Sequence, residues 1–196
     1  MRKILTLFLL VLSSVYVNAQ AGKSFSLSIN ANLNIPLNTG ERDYGQTRDY
    51  YQDGVGGNIK AEMPLIPELH LTGSAGFVYY PSNIHYLYLY QSVYYPGDPS
   101  APQRQPPPYT FIPVKAGLRY YYIKYAYLDA QAGEAIKTNG ASSNSFIYSG
   151  GLGFVIPFNH RNGLDVGVGY EKGYQIRDYP YAMSQIGIRL GYKFSW

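Results

Sequence analysis

The chain has 196 residues, with 16 Lys plus Arg against 12 Asp plus Glu, 23 Tyr, 21 Gly and no Cys. The missing cysteines exclude disulfide scaffolds, thiolate zinc sites and Cys nucleophiles together. The near balance of charge, with no basic patch carrying RNA- or DNA-binding motifs, excludes nucleic acid as a partner.

The amino terminus, "MRKILTLFLLVLSSVYVNAQ", begins with Arg2 and Lys3, continues in the short apolar run Ile4 to Leu12 and reaches small residues at Val17-Asn18-Ala19. Charge, apolar run and small-residue exit in that order predict a secretory signal peptide over 1–19, cleaved after Ala19. The apolar run is too short to be a bilayer-spanning helix of roughly 20 residues, and with no Cys after the cleavage point a lipid anchor is excluded. Cleavage leaves 14 basic against 12 acidic residues, because the segment holds two of the former and none of the latter.

From residue 20 onward no convincing helical period appears, but period-two segments recur throughout. The first, "FSLSINANLNIPL" over 25–37, puts Phe25, Leu27, Ile29, Ala31, Leu33, Ile35 and Leu37 on one face and Ser and Asn on the other. A strand so divided separates two different environments. Further segments follow at 54–65, 69–80, 110–122, 125–136, 146–158, 163–174 and 186–196. The links between them alternate. "IPE", "IK" and "NHRN" are tight; those after the first, third, fifth and seventh segments are long and polar or tyrosine-rich. Eight strands joined by short turns on one side and long loops on the other predict an all-β, antiparallel up-and-down transmembrane barrel spanning 20–196, with both termini on the short-turn side.

Closure follows from the environment. Strands of about ten residues tilted by roughly 45° cross the hydrocarbon layer, and lipid cannot satisfy the unpaired edges of an open sheet. The rival is a soluble lipocalin-like barrel, whose exterior would have to carry many charges. Here the polar faces hold mostly Gly, Ser, Asn and Gln, which suit a narrow interior.

The segments "FIPVKAGLRYYY" followed by "YAYLDAQAGEA", the glycine-rich "YSGGLGFVIPF" and the terminal "GIRLGYKFSW" together resemble the small outer-membrane β-barrel families of Gram-negative bacteria, OmpA-like transmembrane domains and OmpX-like, porin-family barrels. The resemblance covers the whole segment after the signal. It implies outer-membrane lipid and lipopolysaccharide as surroundings, periplasmic termini, and insertion by the outer-membrane assembly machinery. Tyr192, Phe194 and Trp196 match the aromatic carboxyl-terminal pattern that this machinery reads. No peptidoglycan-binding domain follows the barrel pattern, so cell-wall anchoring is not implied.

An eight-stranded barrel has an interior that side chains just fill. The period-two pattern sends Lys60, Glu62, Lys115, Arg119, Asp129, Asp165, Glu171, Arg189 and Lys193 inward. Buried charges must pair, so these nine predict an ion-pair network plugging the lumen, including Arg119 with Asp129 and Asp165 with Arg189 or Lys193. The alternative is a narrow polar path for small solutes or ions. His70, in series with Thr72 and Ser74, is the one candidate for hydrolytic chemistry, but its inward orientation removes it from lipid substrate. No catalytic residue, metal or cofactor is expected. The span 81–109 carries "HYLYLYQSVYY" and "PGDPSAPQRQPPPY". Tyr86, Tyr88, Tyr90, Tyr94 and Tyr95 make it a candidate binding surface for a protein or other surface ligand, since tyrosine offers large contact area at low entropic cost. The equally open reading places these rings in the upper aromatic belt. The expected role is structural or surface-interacting, without enzymatic activity.

Overall fold

The computed structural model describes residues 25–37, 51–82, 108–138, 144–175 and 183–196. Eight strands follow one another: β1 (Ser26–Leu37), β2 (Gly54–Pro64), β3 (Leu69–Tyr80), β4 (Tyr109–Tyr121), β5 (Ala126–Lys137), β6 (Ser145–Pro157), β7 (Asn162–Gln175) and β8 (Met183–Ser195). Each pairs antiparallel with the next, and β8 returns to β1, closing the sheet into a barrel. The closing register runs from Ser26 opposite Ser195 to Leu37 opposite Ser184. Closure leaves no strand without a neighbour on either side, so the wall satisfies its backbone donors and acceptors largely within the sheet.

Three four-residue turns, at 65–68, 122–125 and 158–161, lie at the same end as the start of β1 and the end of β8. In the first, the Leu65 and Ile66 amides both donate to the Leu69 carbonyl. In the third, the Asn159 side-chain oxygen accepts from the amides of Arg161 and Asn162 at 2.9 and 2.8 Å. This is an Asx-type turn that fixes a tight reversal locally. The connections at the opposite end run largely through residues outside those described, and the tyrosines at 86, 88, 90, 94 and 95 lie among these.

The barrel is inside-out relative to a water-soluble domain. Ile29, Ile59, Phe77, Leu118, Leu128, Leu152, Val168, Ile188 and Leu190 stand exposed on the outer wall, whereas Ser28, Asn30, Lys60, Glu62, Thr72, Arg119, Gln131 and Asp165 are buried inside. A continuous apolar exterior over eight strands is stable in hydrocarbon, not in water. This composition decides against the soluble barrel, whose polar face would have to point outward.

Among the described residues the hydrophobic core cluster lies inside the barrel at the loop end, where Val78, Tyr80, Phe111, Ala135 and Ile147 are joined by Tyr51 and Tyr109. Tyr80 stacks on Phe111 with centroids 6.3 Å apart. The alternation itself sends these residues inward near the strand tops.

Candidate functional site: a charged lumen

The long inward side chains need space across a narrow barrel, and glycines on the facing strands supply it. Tyr127 pairs with Gly153 and Asp129 with Gly151, while Arg189 pairs with Gly167 and Asp165 with Gly191. A Cβ on Gly153 would fall on the Tyr127 hydroxyl, and one on Gly167 would come within 2.8 Å of the Arg189 guanidinium. The glycine-rich faces of β6 and β7 thus leave room for the large polar residues of β5 and β8.

Arg119 stands at the centre, wholly buried. Its Nη1 donates to Glu62 Oε2 and Asp165 Oδ2, both at 3.0 Å, and its Nη2 to Asp129 Oδ2 at 3.2 Å. The guanidinium lies 3.7 Å from the centroid of the Tyr127 ring, a cation–π contact shielded from water. Tyr127 donates its hydroxyl proton to Asp165 Oδ1 and accepts from Arg189 Nη2 at 2.7 Å. Arg189 also reaches Asp129 Oδ2 at 3.2 Å, and its Nε lies 3.8 Å from Asp165. Lys60 donates to Asp129 at 3.0 Å, while Lys193 donates to Glu62 at 2.9 Å and to the Tyr121 hydroxyl at 2.8 Å. Tyr121 in turn donates to Glu62 Oε1 at 2.8 Å. The knot ties together β2, β4, β5, β7 and β8.

Nearer the loop end, Lys115 pairs with Glu171 and reaches Ser149 Oγ at 3.4 Å; Gln185 donates to the other Glu171 oxygen at 2.6 Å. Between this pair and the knot lies a polar cavity of about 90 Å³ bordered by Asn32, Asn58, Lys60, Gln131 and Arg189. It is large enough for a few waters. The aromatic cluster around Tyr80 and Phe111, contributed by β3 to β6, lies at the loop end.

All nine charged residues singled out in the sequence therefore lie in the lumen. Arg119 meets Asp129, and Asp165 meets Arg189, while Lys193 is on Glu62. Tyr121 and Tyr127 complete the knot, and their strand parity already points them inward. His70 sits at the turn-end mouth, its Nδ1 2.7 Å from Glu62 Oε1 and its Nε2 3.2 Å from the Pro67 carbonyl. Thr72 and Ser74 are both held by Gln131 rather than by the imidazole. At the same end Tyr192 meets Phe194 edge to face at 4.6 Å, and Trp196 lies 5.8 Å from Phe25. The Trp196 amide donates to the Phe25 carbonyl at 2.9 Å, so the final residue is held to β1's approach.

A closed eight-stranded antiparallel barrel is the architecture of the small outer-membrane β-barrel proteins. Solved structures share it: Neisserial surface protein A (NspA) is 15% identical with a TM-score of 0.56, covering 88% of this chain and 97% of that one. Ail, the attachment invasion locus protein of Yersinia pestis, is 14% identical with a TM-score of 0.51, covering 89% of this chain and 99% of that one. At these identities the likeness is one of fold. No protein-family model and no curated protein matches the sequence.

Proposed function

We propose that this chain is an outer-membrane barrel with a structural or surface-interaction role, exported by the signal segment 1–19 and inserted with both termini in the periplasm. It performs no catalysis. The observation that carries this reading is the Arg119 knot: a wholly buried guanidinium shared among three carboxylates from β2, β5 and β7 blocks the lumen. Opening a path there would strip paired charges of their partners, which costs several kcal/mol. The tyrosine-rich span 81–109 is then the part left to meet ligands, displayed by a rigid wall in the manner of other binding loops. The attachment function in Ail's name belongs to that protein; the shared fold makes adhesion a natural role to test here.

Planar-bilayer recording of the purified barrel tests the sealed lumen. Silence is expected, and sustained conductance steps would replace this reading with a narrow pore. Deleting 84–106 tests the surface role: loss of attachment to host cells or matrix with the barrel intact is expected, and unchanged attachment would leave only the scaffold.

A further inference from the structure

A recess of about 490 Å³ opens at the turn end of the barrel, walled by the β4–β5 and β6–β7 turns and floored by Tyr121, His70 and Lys193. Its size is that of a small-molecule site. Three fixed cations line it, Lys124, Arg161 and Lys193, against one lining carboxylate, Glu68. Among the described residues, Lys124 and Arg161 have no carboxylate within ion-pair distance. Glu62, beneath the floor, is already engaged by Arg119, Lys193, Tyr121 and His70. With Lys193 held by Glu62, Lys124 and Arg161 against Glu68 leave the recess one positive charge in excess, and Val155 and Pro157 in its wall lower the dielectric around it. A concave surface of one sign with apolar walls concentrates counter-ions.

The backbone of Arg161 is also fixed in place. Its amide donates to Asn159 Oδ1 at 2.9 Å, and its carbonyl accepts from the Ser195 amide at 2.6 Å, tying the turn to β8. Lys124 lies 5.1 Å from the Tyr125 ring centroid. Backbone anchoring of this kind removes part of the ordering cost of binding.

We propose that the turn-end recess binds a phosphate monoester, held by Lys124, Arg161 and Lys193. The Arg161 guanidinium fork, the Lys124 ammonium and the one N–H that Lys193 does not give to Glu62 or Tyr121 offer more donors than the two oxygens of a carboxylate can accept. A phosphate has three terminal oxygens, which match these donors, and a negative charge that the excess cation attracts. The site stands on the turn geometry alone. That its ligand arrives from the periplasm rests on the orientation proposed above.

The test is a titration of the full barrel, refolded in detergent micelles, with phenyl phosphate at constant ionic strength, followed by amide NMR shifts. Saturable shifts confined to 122–125, 158–161 and 193–195 are expected, with acetate producing none. K124Q/R161Q, in exposed turns, should weaken binding roughly 10-fold or more, whereas K137Q at the opposite end should leave it unchanged. Heat-modifiable gel migration verifies that each variant is folded. Absent or non-saturating shifts, equal response to acetate, or equal loss in K137Q would overturn the site. The wild-type shift map and the acetate comparison decide the matter even if the double variant fails to fold. A silent titration leaves the outer-membrane reading standing, while failure of membrane fractionation would remove the periplasmic source and leave this titration intact.

Discussion

Replacing Arg119 with Met keeps much of the apolar volume and removes the charge at the centre of the knot. Three charge-assisted hydrogen bonds vanish, to Glu62, Asp165 and Asp129. At about 1.5–3 kcal/mol for each bond to a charged group, their sum is an upper bound of about 4.5–9 kcal/mol. The neighbours soften the loss: Glu62 keeps Lys193, and Asp129 keeps Lys60 and Arg189. Asp165 fares worst, left with Tyr127 and an Arg189 nitrogen 3.8 Å away. The expected cost is therefore about 3–5 kcal/mol, the range for breaking a buried pair by removing one partner. Urea unfolding in lipid vesicles, followed by the fluorescence of Trp196, measures it. R119M/D165N removes the stranded carboxylate charge as well and should recover at least half of the loss, because the two residues share one interaction. A single-variant cost below about 1 kcal/mol, or a double variant no better than the single, would refute the account of the knot.

Gly153→Val should destabilise by about 1–3 kcal/mol in the same assay, because its side chain would fall on the Tyr127 hydroxyl. Gly150→Ala, exposed and with the Asp129 carbonyl oxygen 4.0 Å from the added Cβ, should be nearly silent. Ile188→Arg, on the outer wall, should cost about 2–4 kcal/mol in lipid if it lies near the bilayer midplane; a neutral result in vesicles would contradict a lipid-facing wall. Tyr80→Ala should cost about 3–5 kcal/mol by emptying the loop-end cluster. Deleting Trp196 should lower the yield of membrane-inserted barrel in cells while the refolded barrel keeps its urea midpoint, read by circular dichroism because the deletion removes the chain's single tryptophan; a large midpoint shift with normal insertion would make its role structural.

Strand number, order and facing were legible because a lipid-facing barrel imposes one rule on every strand. Side chains alternate between hydrocarbon and lumen, so Leu128 and Asp129, or Ile188 and Arg189, announce their sides by chemistry alone. The rule becomes silent where an inward residue is apolar. Val78, Phe111 and Ile147 have inward parity, yet nothing in their character separates them from the lipid-facing Phe77, Ile112 and Phe146 beside them. Their cluster emerges only when strands from around the barrel converge. Pair identity was legible where partners share a ladder, as with Arg119 directly opposite Asp129. It was not where the pair crosses the lumen: Lys60 and Asp129, or Lys193 and Glu62, depend on the tilt and stagger that set the height of each strand. The turn-end recess was illegible for the same reason, since Lys124 and Arg161 come from separate turns that only closure brings to one mouth.

The proposed role depends on the closed barrel residing in the outer membrane. Separation of outer from inner membranes of cells expressing the chain, with each fraction run on a gel both boiled and unboiled, measures this directly. The account predicts the processed chain in the outer-membrane fraction, migrating differently before and after boiling because a closed barrel resists detergent until heated. Recovery in the soluble fraction, or identical migration in both samples, would contradict it.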